Sequence, residues 1–121
     1  MGRIVVVDDE SIIRSLFEVL LERRGHTVTT AATVAEGRAA CGTSPPDVVI
    51  VDMFMPDGSG VDLIRSLREL CPQARIIAVT GGGTWEGFDV LTRAKDAGAD
   101  ITLRKPVPSD VIVDAVEGLL A

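Results

Sequence analysis

Short apolar runs alternate five times along the chain with segments of helical periodicity. We predict strands at Ile4–Val7, His26–Ala31, Val48–Val51, Ile76–Val79 and Asp100–Arg104. The third run consists of four consecutive β-branched residues and ends on Asp52, a composition typical of a strand buried on both faces of a parallel sheet. The second run is more polar, which favours a position at the edge of the sheet.

A helical pattern follows each predicted strand. The first helix has apolar residues at the spacing of one helical face, namely Ile13, Leu16, Phe17, Leu20 and Leu21. Gly25 supplies its stop signal. Further helices are expected from about Thr33 to Cys41, from about Ser59 to the stop at Pro72, from about Trp85 to Ala97, and around Ile112–Leu119.

Five successive βα units predict an α/β fold, a doubly wound (βα)5 sandwich. Right-handed crossovers place helices on both faces of a five-stranded parallel sheet, for which we expect the strand order 2-1-3-4-5. The chain has 121 residues, 46% of them hydrophobic, so residues 1–121 fit one domain with an ample core. In this architecture ligands bind at the carboxyl edge of the sheet, where the strand order reverses.

Charge and composition exclude several classes of protein. A formal net charge of -6 disfavours non-specific binding to nucleic acid or to an anionic membrane surface. The sequence has no signal peptide and no apolar run near ~20 residues, so we expect a cytoplasmic protein that does not span a membrane. Cys41, Cys71 and His26 are too few for a structural zinc site. Both cysteines are predicted to pack as small apolar residues, and His26 to lie on the surface at a helix–strand junction.

Polar residues follow four of the five predicted strands. Asp8 and Asp9 follow the first strand, Asp52 the third, Thr80 the fourth and Lys105 the fifth. If the first and third strands are neighbours, three carboxylates converge at the point of reversal. Two carboxylates roughly 4 Å apart repel by about 4 kcal/mol at an effective dielectric constant near 20, so a cation must offset them.

Two cations can offset these carboxylates. Lys105 supplies one positive charge, but Mg²⁺ is the more complete solution because it accepts carboxylates, water and phosphate oxygens as ligands. Asp52 is then placed to act as a nucleophile. A carboxylate that attacks phosphorus forms an acyl phosphate, and the metal with Lys105 would stabilise charge on the transferring oxygens. The Thr80 hydroxyl could donate one more hydrogen bond to them.

Taken together, these motifs resemble the receiver domain of bacterial response regulators over essentially the whole chain. The residues that carry the resemblance are Asp8-Asp9, Asp52, the following Met55-Pro56-Asp57-Gly58-Ser59-Gly60, Thr80 and Lys105-Pro106. They stand in the order and places that the family has. We therefore expect residues 1–121 to form a receiver domain.

The resemblance implies specific roles around Asp52. Asp52 would accept a phosphoryl group from a histidine kinase or a histidine phosphotransfer protein. Asp9 and Asp52 would ligate Mg²⁺ directly, Asp8 would act through water, and the main-chain carbonyl of Phe54 would be the third protein ligand. Asp52 would be the phosphoacceptor of a switch, and the protein would not be a conventional enzyme.

The same resemblance implies how the switch works. Thr80 and Lys105 would hold the phosphoryl oxygens, and the surface of the fourth helix, fifth strand and fifth helix would shift toward a downstream protein or a fused output domain. The phosphorylated form could form a homodimer, and no direct nucleic-acid binding by this domain is expected. Because the chain stops at Ala121, directly after the last helix, we expect a stand-alone receiver or a piece of a longer protein.

Some features depart from the family pattern. Thr102 stands where the family usually has Tyr or Phe, and the Gly81–Gly83 segment with the stretch through Asp89 is a few residues longer than is typical. Trp85 either covers the core or anchors a partner, whereas Phe88 is expected in the core. We hypothesise that Phe54 shields the acyl phosphate from water. A Phe54→Asn variant with an unchanged phosphorylated lifetime would remove that idea.

Each site residue also has an ordinary structural interpretation. Asp8 or Asp9 alone could be a helix N-cap, Thr80 a strand-end hydroxyl, Lys105 a solvated charge, and Asp57 part of a turn and helix start. Four independent accidents at the ends of different strands are improbable, and their coincidence favours the functional interpretation.

Two other classes of function stay open, and a third is disfavoured. A receiver-like interaction module that is not phosphorylated is the main alternative. A phosphatase with an aspartyl nucleophile would be expected to have a second acid two residues after Asp52, where Phe54 stands. A flavin-binding protein of the same architecture is disfavoured because Asp8-Asp9-Glu10 would repel a phosphate in the absence of metal.

Overall fold

The main sheet is parallel and has the predicted order. A computed structural model describes residues 2–81, 84–85 and 88–121, and covers the main chain alone for residues 84, 85, 88, 89 and 91. Its five-stranded sheet comprises β1 Arg3–Val7, β2 Thr27–Ala31, β3 Val48–Asp52, β4 Arg75–Thr80 and β5 Ile101–Arg104. The strands lie in the order β2-β1-β3-β4-β5, which confirms the doubly wound α/β prediction and the edge position of β2.

Helices cover both faces of this sheet. They are α1 Ser11–Glu22, α2 Val34–Thr43, α3 Gly60–Leu70, α4 Val90–Ala97 and α5 Ser109–Leu120. Alternate residues of β1 face opposite sides: Ile4 and Val6 pack with buried residues of α1 and α5, whereas Val5 and Val7 pack with those of α2, α3 and α4. The core is therefore two apolar layers separated by the sheet.

The central strand β3 delivers Asp52 to the edge of the sheet. All five residues of β3 are buried, as expected for a strand with helices on both faces. Val51 lies opposite Val7 on β1, and Asp52 lies opposite Val79 on β4. Asp52 is thus one step beyond the last paired residue of β1.

Two short antiparallel pairs lie outside the main sheet. Phe54–Met55 pairs with Gly58–Ser59, and Thr84–Trp85 pairs with Phe88–Asp89. The prediction of a helix from Trp85 is therefore wrong, because α4 begins at Val90. Thr, Trp and Phe favour strands over helices, and these local preferences prevail here. The predictions for the side chains of Trp85 and Phe88, and for Gly82 and Gly83, lie outside the described residues.

The predictions for two single residues, His26 and Leu16, are wrong. His26 is not on the surface: it is 7% exposed, and its Nδ1 accepts a hydrogen bond of 3.0 Å from the N–H of Gly2, a buried residue just before β1 that needs a partner. Leu16 is 41% exposed because the buried stripe of α1 is narrower than predicted and centres on Phe17 and Leu21.

The two cysteines match the prediction. Cys41 and Cys71 are free and buried among apolar residues of α2 and α3. Burial raises the pKa of the Cys41 thiol to about 12, and the neighbouring Cys71 adds to this effect. Both residues therefore behave as small apolar groups. Separately, none of the described helices has the length and apolarity needed to cross a bilayer.

Candidate phosphoacceptor and metal site

Asp52 is a buried carboxylate with a defined partner for each oxygen. It is 6% exposed, its Oδ1 accepts a hydrogen bond of 3.2 Å from the Phe54 N–H, and its Oδ2 lies 3.3 Å from Lys105 Nζ. The start of α3 packs directly on its main chain. A Cβ at Gly60 would lie 2.7 Å from the Asp52 carbonyl oxygen, so a larger residue there would displace the acceptor.

The acids after β1 reach the same pocket from the neighbouring strand. Asp8 is buried, and its N–H donates to the Ala31 carbonyl of β2, which continues the strand pairing by one residue. Its Oδ1 accepts a hydrogen bond of 2.9 Å from the Glu10 N–H, just before α1 begins. Asp8 thus has a structural role at the start of α1 while its Oδ2 stays available to the pocket.

Lys105 directly follows β5, and its ammonium group bridges the acids after β1 to the acid at the end of β3. Its Nζ lies 3.1 Å from Asp8 Oδ2, 3.2 Å from Glu10 Oε1 and 3.3 Å from Asp52 Oδ2. Its N–H also donates a hydrogen bond of 2.7 Å to the Thr80 carbonyl. The ammonium group is therefore held between carboxylates from two strands.

Burial and charge oppose each other at this site. Burial raises the pKa of the Asp52 carboxyl to about 6, and the nearby Asp8 charge also raises it, while the Phe54 N–H and Lys105 lower it. Burial lowers the pKa of Lys105, but its hydrogen bond to Asp8 and the charges of Asp52 and Asp8 outweigh this, so the pKa lies above its ordinary value. The ammonium stays charged, and ionised Asp52 is held at an energetic cost.

Thr80 and Phe54 lie next to the acceptor. Thr80 is fully buried at the end of β4, one residue beyond the position paired with Asp52. Phe54 is 47% exposed, two residues after the acceptor, and borders a pocket of about 290 Å³ with Met53, Met55 and Val90 among its lining residues. Two roles of Phe54 stay predictions: the binding of metal by its main-chain carbonyl, and the shielding of the acyl phosphate by its ring.

The carboxylates lie close enough together to hold a divalent cation. Asp8, Asp9, Glu10 and Asp52 each offer an oxygen, and these oxygens all lie within 4.8 Å of one another. In the described part of the chain, Lys105 is the cation recorded in ion pairs with them, so negative charge remains in excess when all four are ionised. Clustered hard oxygen ligands with unbalanced charge fit Mg²⁺. The predicted residues Asp8, Asp9, Asp52 and Lys105 therefore do lie together.

Two residues near the site have contacts that the sequence interpretation missed. Glu10 joins the acidic cluster, and its only sequence signal is its place directly after Asp8-Asp9. Asp57 lies in a turn, as predicted, but it does not start the next helix. Ser59 caps α3, and Asp57 accepts hydrogen bonds from the Val34 and Ala35 N–H groups at the start of α2. No local pattern reveals a cap supplied from so far along the chain.

Comparisons with known proteins agree with this geometry. The family model described as "Response regulator receiver domain" matches residues 4–117. The photosynthetic apparatus regulatory protein RegA of Cereibacter sphaeroides is 34% identical over 113 residues, which are 93% of this chain and 59% of RegA. The chain thus spans little more than half the length of that relative.

Solved structures that resemble this chain are also response regulators. A response regulator receiver domain protein from Clostridium thermocellum has a TM-score of 0.87 and 34% identity, with 99% of this chain and 94% of that chain covered. A response regulator from Burkholderia pseudomallei, solved with a phosphorylated aspartic acid, calcium ion and citrate, has a TM-score of 0.85 and 30% identity, with 95% of this chain and 66% of that chain covered.

The fold and site define a CheY-like receiver domain. This chain belongs to the response regulator receiver domain family, whose members act in two-component signal transduction. The family resemblance expected from the sequence is confirmed.

Proposed function

We propose that this receiver domain is a phosphorylation switch in which Asp52 accepts a phosphoryl group from a phosphohistidine of a histidine kinase or histidine phosphotransfer protein. The observation that carries the proposal is the position of the Asp52 carboxylate, 3.3 Å from Lys105 and within 4.8 Å of three other carboxylates at the carboxyl edge of the sheet. The phosphorylated aspartic acid and calcium ion of the Burkholderia pseudomallei relative support both the acceptor and a divalent cation.

The chain's own residues supply attack, positioning and charge. An Asp52 oxygen attacks phosphorus as the bond from phosphorus to the donor nitrogen breaks, which leaves an acyl phosphate on Asp52. Lys105 is the cation held beside that oxygen, and the Thr80 hydroxyl would donate to a phosphoryl oxygen. Asp8, Asp9, Asp52 and the Phe54 carbonyl would hold Mg²⁺. When bound, Mg²⁺ supplies positive charge that offsets the phosphoryl oxygens.

Phosphorylation then alters the surface formed by α4, β5 and α5. Lys105 links this surface to Asp52, because its N–H bonds to Thr80 while its Nζ bonds to the acceptor. A fused output domain or a separate downstream protein would bind there, and a homodimer of the phosphorylated form is a further outcome. The domain would act in the cytoplasm, without contacting nucleic acid directly, and would not be a conventional enzyme.

Thr102 favours a second candidate, an interaction module that is not phosphorylated. It lies half-buried on β5 opposite Ala78, where the family usually has an aromatic ring. Without that ring the coupling between Thr80 and the output surface must differ. Phosphorylation itself distinguishes the two candidates.

The test is incubation with a small phosphodonor and Mg²⁺, read by intact mass. Wild type and the exposed control Asp62→Asn should gain one phosphoryl group, whereas Asp52→Asn should gain none. Chelation of Mg²⁺ should abolish the gain in wild type and in Asp62→Asn. A phosphoryl group that still appears in Asp52→Asn, or no gain in wild type, would overturn the proposal.

A further inference from the structure

Asp57 connects the loop after the acceptor to a helix that is distant in sequence. Its Oδ1 accepts a hydrogen bond of 2.8 Å from the Val34 N–H, and its Oδ2 accepts one of 3.2 Å from the Ala35 N–H. These donors are 23 and 22 residues away along the chain. They belong to the first turn of α2, whose N–H groups have no partner within the helix. Asp57 therefore caps α2 from outside.

The helix end that Asp57 binds is already capped locally. The Thr33 hydroxyl oxygen accepts a hydrogen bond of 3.1 Å from the Glu36 N–H, a separate donor of the same turn. The hydrogen bond from Val34 lowers the pKa of the Asp57 carboxyl, so the outside cap is ionised at neutral pH. Thr33 alone provides the N-cap that a helix requires. The contact with Asp57 is therefore not needed to cap α2, and its effect is expected in the loop that carries Asp57.

Helix α2 is a firm anchor for that loop. A Cβ at Gly37 would lie 2.8 Å from Val7 Cγ2, so α2 packs as closely on β1 as a glycine allows. Val7 directly precedes Asp8. Through α2, Asp57 is thus tied to the strand that carries the acids of the pocket.

The loop in turn is short, and its two arms are paired. Phe54 pairs with Ser59, and Met55 pairs with Gly58, so Asp57 lies in the connection of a small hairpin. At the base of this hairpin, the Phe54 N–H donates a hydrogen bond to Asp52 Oδ1, and the Gly60 N–H donates a hydrogen bond of 3.1 Å to the Met53 carbonyl. A displacement at Asp57 would therefore reach the peptide of Phe54 and the carboxylate of Asp52.

We propose that Asp57 is a positioning residue for the phosphoacceptor site. By holding the hairpin on the start of α2, it fixes the Phe54 main chain, and with it the Asp52 carboxylate and the backbone carbonyl predicted to bind Mg²⁺. Loss of Asp57 would weaken Mg²⁺ binding without removing a ligand, as changes to the partners of ligands do. The link to phosphorylation rests on the proposed function, whereas the link to the Phe54 main chain does not.

Two variants separate positioning from simple capping. Asp57→Ala removes the hydrogen bonds between the loop and the start of α2. Thr33→Ala removes the local cap of α2 and keeps the hydrogen bonds from the loop. The first readout is amide hydrogen exchange at Phe54 in metal-free protein. The second is the Mg²⁺ concentration at half-saturation, from NMR shifts and from the Mg²⁺ dependence of phosphorylation by a small phosphodonor.

We expect Asp57→Ala to speed exchange at Phe54 and to raise the Mg²⁺ midpoint by about tenfold, with the phosphorylation rate recovering at saturating Mg²⁺. Thr33→Ala should lower the unfolding midpoint and change neither readout. If Asp57→Ala fails to fold, Asp57→Asn, which keeps an acceptor oxygen, should show a smaller change of the same sign. Unchanged exchange at Phe54, or equal effects in Thr33→Ala, would overturn the inference. A wild type that binds Mg²⁺ but is not phosphorylated would refute only the proposed function.

Discussion

The two ends of the parallel sheet hold charged residues in different ways. At the amino end each carboxylate in these ion pairs has at least one cationic partner of its own: Arg68 and Arg75 both pair with Asp100, and Arg24 pairs with Glu117. At the carboxyl end four carboxylates cluster, and Lys105 pairs with three of them, Asp8, Glu10 and Asp52. Matched charges are what folding alone requires, because an unpaired buried charge is costly.

The raised pKa of Asp52 indicates that its ionised form opposes folding, mainly because the carboxyl is buried. Ionised Asp52 is disfavoured by burial and by Asp8, although the Phe54 N–H and Lys105 bind it. A cluster that costs stability and has the oxygen ligands of a hard cation is explained by function. The amino end is explained by stability alone, and changes at the two ends should therefore have different consequences.

The largest effect is expected for Lys105→Met. Without its ammonium, Asp8 and Asp52 lose their recorded cation, and the transferring phosphoryl group loses one too. We expect phosphorylation to become undetectable by intact mass. The free energy of unfolding should fall by about 3–5 kcal/mol, the range for removing one partner of a buried ion pair. Phosphorylation at the wild-type rate would contradict the role given to Lys105.

A smaller effect of opposite sign is expected for Asp52→Asn in metal-free protein. Because the pKa of Asp52 is raised to about 6, its protonated form is favoured in the folded state, so ionisation destabilises the fold as pH rises through that pKa. At pH 7 the variant should be more stable by about 1–3 kcal/mol, and this gain should fall to roughly half by pH 5. Urea unfolding at both pH values in a chelator measures it. A gain in the stability of Asp52→Asn that grows as the pH falls would contradict this prediction.

At the amino end, His26→Ala should change stability without changing the site. The substitution leaves the Gly2 N–H without its acceptor and opens a cavity, so the free energy of unfolding should fall by about 1–3 kcal/mol. Mg²⁺ binding and phosphorylation should match wild type below the unfolding transition. An altered Mg²⁺ midpoint would show that the two ends are coupled.

The smallest effect is expected for Arg24→Gln. Arg24 pairs with Glu117 on the surface, where water screens the interaction. We expect no measurable change in the urea midpoint, in Mg²⁺ binding or in phosphorylation. A change comparable to that of His26→Ala would mean that Glu117 depends on Arg24 to stay in place.

The sequence predicts the sheet and most of the site because both depend on short-range patterns. Runs such as Val48–Val51 identify buried parallel strands, and parallel strands bring their final residues to one edge. Asp8, Asp9, Asp52 and Lys105 could therefore be placed together without coordinates. Glu10 lies at the same edge for the same reason, but the sequence does not predict its contact with Lys105.

The errors concern residues whose partners are distant in sequence. His26 is buried because the Gly2 N–H needs an acceptor, and Asp57 binds the start of α2 across the loop. Neither contact leaves a periodic signal. The start of α4 was misplaced for another reason, since Trp85 and Phe88 have strand preferences that outweigh the helical pattern assumed for them.

A Mg²⁺ titration followed by NMR tests the central claim most directly, namely that excess negative charge at the carboxyl end forms a cation site beside Asp52. The account predicts saturable shifts at residues 8–10, 52–54 and 105, none at His26, and an affinity about tenfold or more weaker in Asp9→Asn. Shifts of equal size at both ends of the sheet, or unchanged affinity in Asp9→Asn, would contradict it.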